Sequence, residues 1–247
     1  MNGPAPQRFR RELPSPVPPH PGDATITPER ASLYRQVLAR RTGRLVLVVE
    51  DCYDPHNATA IVRTADALGV QRVCAITTRN GFKINRAISQ GSHHYTDIEV
   101  FASVADCYAR LRGEGFAIWA TDLAADAKDP GSLAADMAGR PLALVFGNEG
   151  DGVSRAASEQ ADGRLLVPMT GFPQSLNLSV TAGICLWALR GAAVSADLPG
   201  DLPADRQIAL YDRWLRGHKP EAVEAAVRRA GRRGEDLDCI EAVPNLP

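Results

Sequence analysis

The sequence predicts an α/β domain built on a parallel sheet with helices on both faces. Two apolar runs, LVLVV at 45–49 and LALVF at 142–146, show no polar alternation. Such runs are typical of strands that are buried on both faces of a parallel sheet. Helical patterns lie between the runs, and strands that alternate with helices form βαβ units. We therefore expect a ligand in the loops at the C-terminal ends of the strands.

The other elements follow in alternation along the chain. Asn57 is a candidate cap for the first helix of the domain, Gly69 a candidate stop, and Ser103 a candidate cap for the next helix. We predict helices at about 57–69, 103–113, 153–161 and 176–190, and further strands at 72–76, 99–101, 116–120 and 165–168.

The two ends of the chain differ from this domain. Residues 1–28 contain eight prolines and few large apolar side chains, which predicts an extended or disordered segment. A basic N-terminal helix is expected within 29–44, with Thr27-Pro28 at its start. The α/β domain then covers 45–192. A C-terminal helical and partly basic extension covers 193–247, and its last fourteen residues contain four acids and no base.

Cysteine content and hydropathy indicate where the protein works. The five cysteines are scattered, odd in number and without a CxxC pair, which fits neither a disulfide framework nor a zinc site. We find no apolar run near the roughly 18–20 residues that cross a bilayer, and no secretory signal. The sequence therefore predicts a protein of the reducing cytoplasm, without a membrane or a metal.

The net charge of −1 conceals an uneven distribution. Residues 1–44 hold eight Arg and Lys against three Asp and Glu, whereas 45–218 hold fifteen against twenty. Residues 219–233 are again basic, with five against two. Basic arms beside an acidic centre suit a polyanion such as RNA, although solvated charged surfaces give the same pattern.

Three loops contain the candidate catalytic and ligand-binding residues. The first, DPHNATAIVRTADALGV, contains Asn57 and Arg63; the second, FGNEGDGV, has glycines spaced G-x-x-G-x-G; the third is VPMTGFPQSLNLSV. The glycine spacing is not that of a dinucleotide site. Taken alone, each loop has an ordinary structural explanation. Asn57 and the residues before the last helix could be helix caps, Arg63 could be a solvent-exposed arginine, and the glycine-rich loop could be a turn without a ligand.

Together and in order, the loops resemble the three signature motifs of the SpoU branch of knotted (SPOUT-class) RNA 2′-O-ribose methyltransferases. The wording HNATAI and Gln174 before Ser175 are most similar to the TrmH tRNA (guanosine-2′-O-)-methyltransferases. The resemblance covers about residues 30–192. The matching positions are Asn57, Ala60-Ile61 and Arg63-Thr64 in the first motif, Gly147-Asn148-Glu149-Gly150 in the second, and Pro168-Met169, Gly171 and Ser175-Leu176-Asn177 in the third.

The resemblance implies a deep C-terminal trefoil knot, a homodimer whose active sites are completed across the interface, and S-adenosyl-L-methionine as cofactor. It implies methylation of a ribose 2′-hydroxyl, with guanosine 18 of the tRNA D-loop as target. The cofactor would bind against Leu144, Phe146, Gly147, Asn148, Gly150, Val167, Pro168, Met169, Ser175 and Leu176.

The resemblance also assigns catalytic roles. Arg63 would act as a base or, since a guanidinium resists deprotonation, as a cation that stabilises the developing alkoxide. Asn57 and Glu149 would orient Arg63 or the ribose, and Ser175 and Asn177 would serve cofactor and catalytic geometry. Independently of the resemblance, the basic ends of the chain would bind the RNA backbone through Arg35, Arg40, Arg41, Arg228 and Arg229, with His56 as a further RNA contact. Two alternatives stay open: a ribosomal-RNA 2′-O-methyltransferase, and a non-catalytic RNA-binding protein with the same fold.

Overall fold

The computed structural model describes residues 9–85, 89 and 91–233. The chain divides into two compact units. One is continuous, Thr42–Ala192, and the other combines Met1–Arg41 with Ala193–Pro247. The structure divides the chain after Arg41 and after Ala192 and joins its two ends in one unit, whereas the sequence analysis placed boundaries at 29, 45 and 193 and kept the two ends separate. The acidic end predicted for 234–247 lies outside the described residues.

A parallel sheet forms the centre of the continuous unit, as predicted. The strands are β1 Thr42–Glu50, β2 Val70–Ile76, β3 Asp97–Phe101, β4 Ala117–Thr121, β5 Leu142–Phe146 and β6 Gly163–Leu165. Their order in the sheet is β3-β2-β1-β5-β4-β6, and every pairing is parallel. The last strand ends earlier than the predicted 165–168, because the N–H of Leu166 donates to the carbonyl of Lys128, in a loop rather than a strand.

The strand order reverses between β1 and β5, and this reversal positions the site. The chain runs outward from β1 through β2 to β3, and later returns with β5 on the other side of β1. Val49 pairs with Phe146, so the segments after these strands leave the sheet side by side. A reversal of strand order opens a crevice at the carboxyl ends of parallel strands.

Helices cover both faces of the sheet. The described helices are α1 Pro28–Leu38, α2 Pro55–Ala67, α3 Ser92–Tyr95, α4 Val104–Gly113, α5 Leu133–Gly139, α6 Arg155–Gln160, α7 Leu178–Ser195, α8 Ala204–His218 and α9 Pro220–Arg232. Leu47 and Val49 of β1 point to the core that α2 and α7 complete, and Val46 and Val48 point to the core that α4 and α6 complete. Helices α3 and α5 were not predicted.

Helix α7 is long and apolar enough to cross a bilayer by length and composition. The expectation that no segment meets this measure is therefore wrong. The helix packs on the sheet through one side, where Ala182, Cys185, Leu186 and Leu189 are buried. Core helices of proteins outside membranes satisfy the same measure. The opposite side of α7 exposes four apolar side chains, Val180, Ile184, Trp187 and Val194.

The second unit combines α1, α8 and α9 with a 3-10 helix at Pro21–Thr25. Its aromatic centre includes Tyr34 and Trp214, whose ring centroids lie 5.6 Å apart. Residues 12–20 are extended, as expected, but 9–28 are not disordered. Leu13 and Val17 are buried, and both backbone polar groups of Leu13 bond to the side chain of Gln36. Two buried aliphatic side chains and the hydrogen bonds to Gln36 thus hold the proline-rich segment within this unit.

Candidate active site

Glu149 joins the segments that follow β1 and β5. Its Oε1 accepts from Asn57 Nδ2 at 2.7 Å, and its Oε2 accepts from the backbone N–H of Tyr53 at 3.1 Å. The N–H of Asp54 donates to Oε1 at 3.4 Å. The carboxylate therefore has a fixed orientation, set by one side chain and the backbone of the first motif.

Asn57 does not cap α2, and this prediction is wrong. The helix begins two residues earlier at Pro55, where the side chain of Asp54 accepts from the N–H of His56. Asn57 is instead buried within the first turn. Its side-chain nitrogen faces Glu149 and its oxygen accepts from Asn177 Nδ2 at 3.0 Å. Asn57 thus connects the second motif, through Glu149, to the third motif, through Asn177.

Asn177 completes the chain of contacts from the third motif. Its Oδ1 accepts from the N–H of Ser179 at 2.9 Å, which is the pattern of a cap on α7. Because Oδ1 is occupied there, Nδ2 points to Asn57. One residue from each motif therefore stands in a single hydrogen-bonded series, Asn177 to Asn57 to Glu149.

The electrostatics of the site keep Glu149 ionised. Partial burial alone would raise the pKa of Glu149, but the hydrogen bonds from Asn57 and from backbone N–H groups, including that of Tyr53, outweigh it and lower the pKa. The neighbouring Cys52 responds in the opposite direction. Burial, together with the negative charge of Glu149, raises the pKa of the Cys52 thiol to about 12. At neutral pH the site therefore holds a carboxylate beside an uncharged thiol.

A closed turn carries Glu149. Asn148 and Gly152 exchange two backbone hydrogen bonds at 3.0 and 3.1 Å, and Asn148 Oδ1 accepts from the N–H groups of Gly150 and Asp151 at 2.8 and 2.7 Å. Gly147 precedes this turn, and a Cβ there would lie 1.8 Å from the carbonyl carbon of Gly152. The close return of the backbone thus requires glycine at 147.

A cavity of about 380 Å³ opens at the ends of β4, β5 and β6. Its volume falls within the range typical of small-molecule sites. The walls combine apolar side chains with the carboxylates of Asp122, Glu149 and Asp151, and no Lys or Arg stands among the lining residues. The lining is formed by Thr121–Leu123, Phe146–Val153, Leu165–Val167, Met169, Gln174–Leu176, Leu178 and Thr181.

Most residues predicted to bind the cofactor line this cavity, namely Phe146, Gly147, Asn148, Gly150, Val167, Met169, Ser175 and Leu176. Two do not. Leu144 is fully buried in the core of the sheet unit. It points to the same face of the sheet as Phe146, but it lies two residues before the end of β5, and only the end of the strand reaches the cavity. Pro168 is exposed and lies outside the lining.

The sequence analysis missed the wall after β4, formed by Thr121, Asp122 and Leu123. Their position directly after a predicted strand could have identified them as candidate ligand-binding residues.

Arg63 is exposed and does not line the cavity. It follows Asn57 by six positions, which turns its side chain about 120° away around the helix axis. No group of three His, Cys, Asp or Glu side chains suited to a metal ion occurs within the described part of the chain.

The residues predicted to contact RNA divide into two groups. His56, Arg228 and Arg229 are exposed. Arg41 is fully buried, with its guanidinium 5.5 Å from the ring centroid of Trp214, so its assignment to an RNA phosphate is wrong.

Two more of these arginines are engaged inside the second unit. Arg35 pairs with Asp23 at 2.7 Å and Arg40 with Asp197 at 2.5 Å. Arg40 also donates to the carbonyl of Gln36. Both arginines therefore make contacts within this unit and do not form an open basic surface.

Known proteins resemble this chain over most of the sheet unit. The model of the SpoU rRNA Methylase family matches residues 44–187, which include all three motif loops. The chain belongs to the SpoU rRNA Methylase family. Its members are methyltransferases, so the site described above lies in an enzyme fold.

Relatives of this SpoU family member cover most of the chain. The tRNA (guanosine(18)-2′-O)-methyltransferase of Thermus thermophilus is 36% identical over 193 residues, which span 77% of this chain and 97% of the relative. The crystal structure of the Aquifex aeolicus TrmH/SpoU tRNA modifying enzyme aligns with a TM-score of 0.69 at 30% identity, over 77% of this chain and 97% of its own.

A third similarity concerns a cofactor complex. The AdoMet-bound rRNA methyltransferase of Sinorhizobium meliloti aligns with a TM-score of 0.54 at 26% identity. The match covers 64% of this chain and 59% of that protein. The predicted α/β fold with a parallel sheet is confirmed by these neighbours.

Proposed function

We propose that the protein transfers a methyl group from S-adenosyl-L-methionine to the 2′-hydroxyl of guanosine 18 in the D-loop of tRNA, in the bacterial cytoplasm. The observation that carries the proposal is the hydrogen-bonded series of Asn177, Asn57 and Glu149 beside the cavity. Relatives named for this reaction support the choice of substrate.

The lining of the cavity fits S-adenosyl-L-methionine. Leu123, Phe146, Leu165 and Met169 provide apolar walls for a purine, and the three carboxylates suit a cofactor with sulfonium and ammonium charges. A phosphate-bearing cofactor would need cations, which the lining residues do not supply. When bound, S-adenosyl-L-methionine supplies an electrophilic methyl group. The backbone of 146–150 would hold the cofactor on one wall of the cavity, and Ser175 and Leu176 would hold it on another.

The residues of the site must position a ribose and assist loss of its hydroxyl proton. Glu149 is held ionised and in place, so it can accept a hydrogen bond from the ribose or from Arg63. Asn57 sets the orientation of Glu149, and Asn177 sets that of Asn57. Arg63 would stabilise the developing alkoxide and bind a phosphate as a permanent cation.

We further propose that Arg63 reaches the site of a second protomer. Thr64 lies next to α7, since a Cβ on Gly183 would be 4.0 Å from Thr64 Cγ2. Arg63, the preceding residue of α2, is exposed. Four apolar residues, Val180, Ile184, Trp187 and Val194, form an exposed stripe on α7. The spacing of these four residues places them on one side of the helix. A homodimer that buries this stripe would bring a cation to a cavity whose lining residues include none.

The knot belongs to the same proposal. We expect the loop between β6 and α7, residues 166–177, to thread through the chain so that the third motif meets the first two. The support is the position of Gln174–Leu176 against the turn after β5 in one cavity. RNA would be bound through His56 beside the site and through the exposed Arg228 and Arg229 of α9.

The test of the reaction is transfer of label from S-adenosyl-L-methionine into unmodified tRNA and rRNA, followed by nucleoside mapping. Label is expected as 2′-O-methylguanosine in the tRNA D-loop. Label confined to rRNA would favour the ribosomal alternative. Cofactor binding without any transfer would favour the non-catalytic RNA-binding protein.

Variants test the shared site. Arg63→Ala should abolish transfer and leave cofactor affinity nearly unchanged, since Arg63 does not line the cavity. Glu149→Gln should also be inactive. If each site combines Arg63 of one protomer with Glu149 of the other, mixing the two inactive proteins restores about a quarter of the sites after exchange. No recovery after verified subunit exchange would place both residues in one protomer.

A further inference from the structure

The buried carboxylate of Asp51 fixes the segment that follows β2. Asp51 has a left-handed backbone conformation, φ 48°, and its side chain is 2% exposed. Oδ1 accepts from the N–H groups of Thr78 and Arg79, both at 2.8 Å, and of Asn80 at 3.2 Å. The hydroxyl of Thr78 donates to Oδ2. The backbone of Arg79 is therefore immobilised at the end of β1.

From this fixed backbone, the Arg79 side chain extends to the turn that carries Glu149. Its Nε lies 3.4 Å from Asp51 Oδ2, and its Nη1 donates to Asp151 Oδ2 at 3.1 Å. A guanidinium can satisfy two carboxylates at once because its donors are spread over a rigid plane. Arg79 thus connects the segment after β2 to Asp151, a residue of the cavity wall.

The turn transmits this restraint to Glu149. Its ends are joined by two backbone hydrogen bonds, and Asn148 Oδ1 accepts from the N–H of Asp151 at 2.7 Å. The turn therefore behaves as one closed piece, held at Glu149 by the first motif and at Asp151 by Arg79. Removing either contact therefore leaves the turn less firmly attached to the segments that follow β1 and β2.

We propose that Arg79 is a positioning residue for the cofactor, acting through Asp151 on the Asn148–Gly152 turn. The cofactor part of this proposal rests on the proposed function. Arg79 lies outside the three motifs and outside the cavity lining. The ion pair is exposed, 59% at Arg79 and 72% at Asp151, and exposed pairs contribute little to global stability. Its effect should therefore appear in the order of the turn and in cofactor affinity, not in Tm.

A purely electrostatic role predicts the opposite sign. Replacing Arg79 by a neutral residue makes the surroundings of the cavity more negative, because Asp122, Glu149 and Asp151 remain. That change would strengthen binding of a cationic cofactor. Positioning predicts weaker binding, so the direction of the change separates the two roles. Arg79→Lys adds a second distinction, because it keeps the charge but loses the planar, two-point contact.

The experiment measures the Kd of S-adenosyl-L-methionine by calorimetry for the wild type, Arg79→Gln, Arg79→Lys, Asp151→Asn and the Arg79→Gln/Asp151→Asn double variant. We expect each single variant to bind about fivefold more weakly, with the double variant no weaker than either single change. KM for the cofactor should rise more than kcat falls. Unchanged or tighter binding by Arg79→Gln, or additive losses in the double variant, would overturn the proposal.

Arg155→Gln is the matched control. Arg155 follows the turn closely in sequence, is 88% exposed and pairs with Glu159 at 2.6 Å on α6. This variant removes the same charge without touching the turn, and we expect wild-type affinity.

Hydrogen–deuterium exchange of the ligand-free protein tests the restraint independently of any cofactor. In Arg79→Gln the amides of Gly150, Asp151 and Gly152 should exchange faster than in the wild type and in Arg155→Gln. Equal exchange would sink the positioning role. A wild type that binds no S-adenosyl-L-methionine, but whose turn loosens in Arg79→Gln, would instead overturn the cofactor assignment and leave the restraint established.

Discussion

The side-chain amides of Asn177 and Asn57 are joined head to tail, with Nδ2 of Asn177 donating to Oδ1 of Asn57 at 3.0 Å. The contact spans two motifs that lie far apart in the chain. It also fixes which end of the Asn57 amide faces Glu149, because the oxygen is occupied and only the nitrogen is left to donate. The orientation of the carboxylate is thus decided at the start of α7, where Asn177 is the cap.

Glu149→Gln tests the need for a carboxylate at this position. Asn57 Nδ2 and the N–H of Tyr53 donate to different oxygens of Glu149, so the amide nitrogen of glutamine would face one of these two donors, and opposed donors cannot hydrogen-bond. We expect turnover to fall about 100-fold or more, and the free energy of unfolding to fall by about 1–3 kcal/mol. Labelled-methyl transfer and urea titration measure the two effects. Glu159→Gln, on the surface of α6, should change neither; a comparable loss there would refute the assignment.

Gly147→Ala tests the close return of the backbone before the turn. The added Cβ would lie 1.8 Å from the carbonyl carbon of Gly152 and 2.0 Å from the nitrogen of Val153. Backbone cannot yield as a flexible side chain does, so we expect a loss of about 1–3 kcal/mol or more in the free energy of unfolding. Gly150→Ala is the control, since its nearest neighbour is 3.5 Å away. Equal stability of the two variants would contradict the account.

Asp51→Asn tests the carboxylate that anchors the segment after β2. Burial would raise the pKa of Asp51, but the N–H groups of Arg79, Asn80 and Thr78 and the Thr78 hydroxyl outweigh it and lower the pKa to about 2. A lowered folded-state pKa stabilises the fold above the unfolded value of about 3.9. That contribution, roughly 2 kcal/mol, is lost as the pH falls toward 2. Urea titrations from pH 6 to pH 2.5 should show a flatter acid limb in the variant, and an unchanged slope would exclude this role.

Arg40→Gln and Arg229→Gln separate arginines of the interior from arginines of the surface. Arg40 pairs with the buried Asp197 at 2.5 Å, whereas Arg229 is exposed on α9. Arg40→Gln should lower Tm by several degrees, since about 1 kcal/mol shifts Tm by roughly 2–4 °C at this size.

Arg229→Gln should leave Tm unchanged and weaken tRNA binding, with a shallower dependence on salt because one phosphate contact is lost. Filter binding at several salt concentrations measures that slope. The reverse pattern, with stability lost at 229 and tRNA affinity lost at 40, would show that the two arginines are wrongly assigned.

The sheet was predictable because every residue in a run such as 45–49 is apolar. Such a run indicates a strand that is buried on both faces, as in a parallel sheet covered by helices. Resemblance to known motifs predicted roles for Glu149 and Asn177, and in the structure Asn57 joins the two through hydrogen bonds. Asn57 was predicted to cap α2, but Asp54 occupies the N-cap position. Both side chains can cap a helix, and only the structure shows which of them does so. Capping rules describe neighbours in sequence, whereas Asn57 is held by residues distant from it.

Charge counting failed for Arg41 for a related reason. The sequence records a positive charge near a basic end, but not the aromatic ring of Trp214 against which that charge is buried. Arg35 and Arg40 likewise pair with acids from separate parts of the second unit. Long cationic side chains reach partners that no local pattern specifies.

The second unit draws on both ends of the chain, Met1–Arg41 and Ala193–Pro247, and this sets an order of events during synthesis. The first segment leaves the ribosome before its partner exists, and roughly 150 residues must be made in between. At about 5–20 residues per second, that interval is about 8–30 s. In that interval the sheet unit is synthesised in full, while α1 waits without α8. A chain that ends at residue 192 and is released from the ribosome should therefore present the sheet unit to proteases as a resistant core, with an N-terminal segment that is still cleavable.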